Sequence, residues 1–240
     1  MTLLHDGELS AAFDHAARRY DLLTAVNPGY RADLRRSARR LRLPGGGRGL
    51  RLLDLGCGTG TSTAALLASA PHAEIVAVDA SAGMLERAAA KPWPSGVSFV
   101  HAPAEELAGV GGGFDAVFAA YLFRNVTDPD AVLAAVRTAL EPGGRLAVHE
   151  YTLSGSAAHR AVWTAVCRGI VLPAGRLAGD GGLYRHLWRS VLAFDTVPEF
   201  AARLRRTGFR QVRALPLPGW QTGITHTVAA AAPDVSQETP

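Results

Sequence analysis

From residue 50 onward, compact apolar runs alternate with helical segments, a rhythm that a parallel α/β sheet satisfies and few other architectures do. Leu50–Leu55 (LRLLDL), Glu74–Asp79 (EIVAVD), Val97–His101, Phe114–Ala120 (FDAVFAA) and Arg145–Tyr151 (RLAVHEY) read as buried strands. Ser62–Ala70, a segment capped by Ser81 and ending near Ala90, and Pro129–Leu140 read as the helices between them. Glu141-Pro142-Gly143-Gly144 reads as the turn into the fifth strand. Phe209–Leu215 and Gly223–Ala230 add two more strands. Right-handed crossovers then line up the carboxyl ends of the strands along one edge, where ligands bind. The expected fold class is α/β, a Rossmann-like, doubly wound and mainly parallel sheet of seven strands.

One domain spanning residues 1–240 accounts for the length. Residues 1–45 read as N-terminal helices, with 1–10 frayed and a helical pattern over Leu9–Leu23. Asn27-Pro28-Gly29 and Gly45-Gly46-Gly47 punctuate that region. The alternation breaks over residues 152–208, which read as a helical insertion with a Pro-Ala-Gly interruption at 173–175. An insertion that long usually serves as a lid or substrate cap. The tail 233–240 (PDVSQETP) reads as disordered.

Composition narrows the function classes. Two cysteines, Cys57 and Cys167, are too few for a disulfide framework or a Cys-rich zinc site, so no metal is expected. No apolar run approaches the roughly 18 residues of a membrane span. The first ten residues lack the segments of a signal peptide, so a cytoplasmic location is expected. A net charge of +4 is too weak to argue for nucleic acid. The charge is nearly all arginine, because Lys91 is the sole lysine. Six arginines crowd into the twelve residues Arg31–Arg42, with Leu34, Ala38 and Leu41 at helical spacing. That helix presents either a solvated basic face or a peripheral contact with the inner face of a membrane. A homodimer is a further open expectation.

The strongest motif follows the first strand: Asp54-Leu55-Gly56-Cys57-Gly58-Thr59-Gly60. Glycines at a strand end allow a sharp turn and close approach of a ligand to free N–H groups. The spacing Asp-x-Gly-x-Gly-x-Gly differs from the G-x-G-x-x-G dinucleotide fingerprint, since residue 61 is Thr. Asp79, 19 positions beyond Gly60, ends the second strand and suits the hydroxyls of an adenosine ribose. Asp54 would repel a pyrophosphate but suits a ligand carrying an ammonium group. S-adenosylmethionine has the ammonium and the ribose and carries no phosphate.

At these residues the chain resembles the class I S-adenosylmethionine-dependent methyltransferases. Further blocks narrow the resemblance to the ubiquinone/menaquinone C-methyltransferase family. They are Phe13-Asp14 with Tyr20-Asp21, Phe123-Arg124-Asn125-Val126-Thr127-Asp128, His149-Glu150-Tyr151, and Tyr184-Arg185-His186-Leu187 with Ser190-Val191. The similarity spans about residues 10–230. It implies S-adenosylmethionine as cofactor, with Asp54, Gly56, Gly58 and Gly60 around its methionine part and Tyr20 and Cys57 also among the cofactor contacts. Asp79 falls at the ribose, Ala80 among the further cofactor contacts, and Met84 beside adenine or simply in the core. Pro103 and Ala104 occupy the adenine-amino segment, and Ala120 and Asn125 complete the set. Pro103 offers no side-chain acceptor there, leaving backbone, water or Glu105 to take its place.

The implied reaction is C-methylation of a prenylated quinol such as a demethylmenaquinol. A carbon nucleophile on such a ring needs its phenol deprotonated or polarised. Arg124 and Glu150 are the expected catalytic pair, with an ion pair from Arg124 to Asp128 or Glu150 as the alternative. Strand alternation sends His149 and Glu150 to opposite faces, with Glu150 toward the site and His149 packed. Tyr121, Tyr184 and His186 are expected at the acceptor, the last two equally well as cap packing. Tyr121-Leu122 replaces a smaller, glycine-containing version of the motif, which favours a second reading. That reading keeps the reaction and changes the acceptor to a soluble aromatic or terpenoid. A non-catalytic cofactor-binding protein is a third, disfavoured by the intact glycine set. Cys57 reads as a packing residue, His226 as a weak acid–base candidate, and Asp195 as a cap for the helix near Val197.

Overall fold

The computed structural model describes residues 9, 11–14, 29–177, 179 and 181–234. Residues 9 and 11–14 are helical, and Tyr20 lies outside the described residues, as does most of the expected 9–23 helix. From Gly29 onward the elements are α1 (Tyr30–Arg39), β1 (Arg51–Leu55), α2 (Thr61–Ser69), β2 (Glu74–Asp79), α3 (Ala82–Ala89) and β3 (Val97–His101). Then come β4 (Phe114–Ala120), α4 (Pro129–Ala139) and β5 (Leu140–Tyr151). A run of helices follows: α5 (Ala157–Val166), a π-helical turn (Cys167–Val171), α6 (Leu172–Leu177), α7 (Gly181–Ala193) and α8 (Val197–Arg206). β6 (Arg210–Pro216) and β7 (Thr225–Ala231) close the chain.

The strands form one seven-stranded sheet in the order β3-β2-β1-β4-β5-β7-β6. Pairings from β3 through β5 are parallel, while β7 runs antiparallel to both β5 and β6. The strand order reverses at β1, beside β4. Two crossovers diverge there and leave a crevice at the carboxyl edge, the usual ligand position in such sheets.

Strand alternation assigns each side chain to a layer. Leu52, Phe118 and Ala147 face α1 and α2, in a cluster with Leu34, Ala38, Leu41 and Leu66. Leu53, Leu55, Val117 and Val148 face the opposite layer, where Leu133 and Val136 of α4 and Phe200 and Leu204 of α8 meet them. The region expected as one insertion therefore divides. α8 is a layer of the sheet domain, and only α5 through α7 stand outside it. The hydrophobic cluster of that outer part joins Tyr151, Trp163, Cys167 and Val191.

Several local expectations change in physical terms. Glu141–Gly144 lies within β5 as a bulge, since the register jumps from Phe114↔Leu140 to Ala116↔Arg145. The expected interruption at 173–175 is helical instead: a π-helical turn over Cys167–Val171 precedes Pro173, and the helix continues through Leu177. Thr196, not Asp195, caps α8, through a capping box with Glu199. Asp195 instead takes two hydrogen bonds from Arg203, at 2.6 and 3.1 Å. Pro233 accepts a hydrogen bond from the Gly143 amide, so the expected tail is tied to the fold at its first residue, and residues 235–240 lie outside the described residues. Among the described residues no helix is long and apolar enough to cross a membrane.

The arginines of α1 do not act alike. Arg31, Arg35 and Arg39 are exposed, but Arg40 turns inward and donates to the carbonyls of Leu215 and Pro216 and to Thr227 Oγ1. Arg145 of β5 reaches the carbonyls of Leu41 and Arg42. These guanidinium bonds fasten α1 to the antiparallel end of the sheet.

Candidate active site

At the end of β1 the chain turns through Gly56, Gly58 and Gly60, all with positive φ (76°, 54° and 86°). Only glycine takes that left-handed conformation without strain. The amides of Gly56 and Cys57 donate to the Val78 carbonyl of β2, at 2.8 and 2.9 Å. The Gly58 amide donates to Asp79 Oδ2 at 2.7 Å, and the Ser81 amide to Asp79 Oδ1 at 2.9 Å. The turn is thus tied to the carboxylate across the crevice. Burial raises the Asp79 pKa, and these two backbone donors oppose the rise.

A cavity of about 630 Å³ opens along this edge. Of the expected cofactor positions, Gly56, Gly58, Asp79, Ala80, Met84, Pro103, Ala104, Ala120 and Asn125 line it. Tyr121 and Arg124 line it as well. Met84 is buried, with its amide held by the Ser81 hydroxyl that caps α3.

The remaining expected positions stand back from the cavity. Alternation along β1 turns Asp54 toward α2, where its Oδ2 accepts from the hydroxyls of Ser62 (2.8 Å) and Thr63 (2.6 Å). Its other oxygen, Oδ1, has no hydrogen-bond partner among the described residues. Burial pushes the Asp54 pKa up to about 7, against the two hydroxyl donors. Cys57 is buried and its thiol is held far from ionisation by that burial, so it packs and does not attack. A Cβ on Gly60 would stand 2.8 Å from Trp93, whereas one on Gly58 would meet nothing. Gly60 therefore serves packing under the turn, and Gly58 leaves the ligand side open.

On the β4 side, Arg124 Nη1 donates to Glu150 Oε1 at 2.6 Å and to the Tyr121 carbonyl at 2.9 Å. Glu150 is fully buried and stands behind Arg124, away from the cavity wall. Burial raises its pKa, and Arg124 opposes that most strongly. The Arg124 ion pair is thus with Glu150, while Asp128 caps α4 through the amides of Asp130 and Ala131. Asn125 bridges two parts of the molecule: its Nδ2 donates to the Tyr121 carbonyl, and His186 Nε2 lies 3.0 Å from its Oδ1. His186 reaches the site through Asn125 and does not line the cavity. Tyr184 packs against Gly175, also away from the cavity.

These elements, a glycine turn, an acid at the end of β2 and an Arg-Asn step after β4, coincide with a match to the model of the ubiE/COQ5 methyltransferase family over residues 1–227. The chain belongs to the ubiE/COQ5 methyltransferase family. A relative in Syntrophotalea carbinolica, the ubiquinone/menaquinone biosynthesis C-methyltransferase UbiE, is 34% identical over 212 residues, covering 86% of this chain and 88% of that protein. The demethylmenaquinone methyltransferase of Thermus thermophilus is 37% identical over 201 residues, covering 82% and 90%. Among solved structures, a SAM-dependent methyltransferase from Thermotoga maritima matches with a TM-score of 0.66 at 19% identity, covering 93% of this chain and 99% of that one. The last likeness concerns the fold alone. The seven-stranded sheet is that of a class I methyltransferase.

In this methyltransferase Tyr121 is a non-glycine residue at φ 58°, a conformation L side chains adopt only under constraint. The constraint is visible. Its ring stacks on Tyr30 at 5.7 Å and contacts Tyr151 and His149, each at 4.7 Å. His149 Nε2 lies 2.8 Å from the Tyr121 hydroxyl, and His149 Nδ1 lies 2.7 Å from Ser37 Oγ. Burial pulls the His149 pKa down to about 3, so the imidazole is neutral and structural. His226 is likewise spoken for, its Nδ1 donating to the Thr152 carbonyl at 2.8 Å.

Sequence reasoning gave no role to the first described helix. Leu9 and Phe13 line the cavity of the methyltransferase, and Asp14 accepts from the Ser81 hydroxyl and the Gly83 amide. Asp14 thereby completes the cap of α3. The signal available was an acid in the Phe13-Asp14 block, whose partner is a free helix N-terminus 69 residues away.

Proposed function

We propose that this methyltransferase binds S-adenosylmethionine in the 630 Å³ cavity and methylates a ring carbon of a quinol of the demethylmenaquinol type. The observation that carries the reading is Arg124: a guanidinium held by Glu150, on the wall of the cavity that Asp79 and the glycine turn also line. The printed names of the curated relatives support the acceptor class.

The residues present fit the cofactor. Asp79 offers a carboxylate at the cavity wall, positioned for the ribose hydroxyls. Open space beside Gly58 leaves room for a ligand against the backbone. Asp54 Oδ1, without a hydrogen-bond partner among the described residues, supplies negative potential just beneath the turn, which suits an ammonium group. Glu105 lines the cavity beside Pro103 and provides the acceptor that proline lacks. Bound there, S-adenosylmethionine supplies an electrophilic methyl group for in-line displacement.

Arg124 holds the acceptor oxygen as it gains phenolate character. A guanidinium stays protonated at any working pH, so it stabilises that charge and does not take the proton itself, and the one proton released in the net reaction passes to solvent. Glu150 fixes its orientation from behind, and Asn125 links the site to the outer helices through His186. The apolar wall formed by Leu9, Phe13 and Val126 keeps water from the electrophile. A second reading, a soluble aromatic acceptor, draws support from Tyr121 and Leu122. Leu122 presses on the glycine turn, 3.0 Å from where a Cβ on Gly56 would stand, and narrows that wall.

Asp79→Ala is expected to abolish S-adenosylmethionine binding in titration calorimetry, with the fold retained by circular dichroism. Affinity equal to the parent chain would end the ribose assignment.

A further inference from the structure

Ala157–Leu177 forms one continuous helix of unusual patterning. Its inner line, Trp163, Cys167 and Gly175, is buried, and the π-helical turn keeps that line in register at multiples of four residues. The outer line two positions away consists of Ala161, Ala165, Gly169, Pro173 and Leu177, all exposed, with Val162, Ile170 and Ala174 beside it. Leu177 is 91% exposed, Ile170 66% and Val162 45%. A solvated helix carries polar residues on its outer face. This one carries none there.

Charge is confined to one flank, where Arg160, Arg168 and Arg176 recur every eight residues, all exposed. No acidic residue occurs between 157 and 177. Trp220, itself 45% exposed, sits in the short turn beside Gly223, which packs against the His159 ring near the start of the helix. An exposed apolar strip with an all-arginine flank is the pattern of a helix lying in the headgroup plane of an anionic bilayer.

We propose that the outer face of Ala157–Leu177 docks this protein on an anionic lipid surface. The arginines reach the headgroups while Val162, Ile170 and Leu177 enter the acyl boundary. A second copy would fit poorly, because a two-fold contact through this face would bring two arginine flanks together with no acid on either helix. The basic helix α1 is a weaker candidate: its apolar residues Leu34 and Ala38 are buried, and it has only charge to offer. The site's purpose rests on the quinol reading, since a prenylated acceptor resides in lipid, and α7 joins this helix to Asn125 at the cavity through His186. The docking itself does not depend on which acceptor is methylated.

The test is vesicle flotation of the full chain, without cofactor or acceptor, at low salt. The parent chain should float with vesicles of phosphatidylcholine and phosphatidylglycerol, and far less with phosphatidylcholine alone. Ile170→Asp with Leu177→Asp should lower that partitioning by more than about tenfold. Arg160→Gln, Arg168→Gln and Arg176→Gln together should lower it by roughly a hundredfold on the anionic vesicles. Thermal melts establish that the variants fold, and methyl transfer to a detergent-solubilised acceptor should match the parent chain. No flotation of the parent chain, or equal flotation of both variants, overturns the proposal. A dimer in solution that Leu177→Asp dissolves, with no vesicle binding, assigns the face to a second copy and overturns it too.

Discussion

Arg124→Ala is expected to lower the melting temperature by roughly 10 °C while also removing methyl transfer. Glu150 is fully buried and takes its strongest hydrogen bond from Arg124. Removing the guanidinium leaves an unpaired carboxyl in the core, and breaking such a pair costs about 3–5 kcal/mol. Lost activity in that variant alone therefore says little about chemistry. The informative variant is Arg124→Ala combined with Glu150→Gln. The neutral amide keeps an acceptor for the Tyr151 amide, and the melting temperature should recover by more than half. Methyl transfer should not recover, because the group proposed to hold the acceptor oxygen is still missing. A double variant with full stability and full activity would reduce Arg124 to a structural ion pair.

The second large effect concerns Asp54, and its sign follows from the direction of the shift. Burial raises its pKa from 3.8 to about 7, so between those values the folded chain binds a proton that the unfolded chain has lost. Stability from this group is complete below pH 3.8 and is lost as pH rises through about 7. Three pKa units correspond to about 4 kcal/mol. Asp79 and Glu150 are shifted in the same direction, so the test is the difference between parent and variant. In urea unfolding, Asp54→Asn should flatten the decline in stability between pH 5 and pH 8. A bound ammonium reverses the linkage, since it favours the carboxylate. Affinity for S-adenosylmethionine should therefore rise with pH in the parent chain and become flat in Asp54→Asn. Parallel stability curves for the two proteins would show that Asp54 is not the buried titrating group.

The sheet was legible because its signals are local. Each strand is a short apolar run bounded by turn residues, and the glycine turn carries its conformational demand in its composition. β2, β3 and β4 fall where the periodicity puts them, at Glu74–Asp79, Val97–His101 and Phe114–Ala120. What escaped depends on contacts distant in sequence. Whether the helix at 197–206 belongs to a cap or to the sheet is decided by Phe200 and Leu204 meeting Val148 and Val228, which no local period reveals. The same holds for Glu150. Alternation set it opposite His149, but its place behind Arg124 and away from the cavity required the turn after β4. Tyr121 is hidden for another reason, because a tyrosine at φ 58° contradicts its own propensity, and rings distant in sequence together with hydrogen bonds hold it there.

Incubating the full chain with methyl-labelled S-adenosylmethionine and a panel of acceptors tests the central claim most directly. The panel holds a demethylmenaquinol and soluble phenols without a prenyl tail. The expected result is label on a ring carbon of the quinol, located by mass spectrometry of the product, with none on the soluble phenols. Label on a soluble phenol and none on the quinol would contradict it.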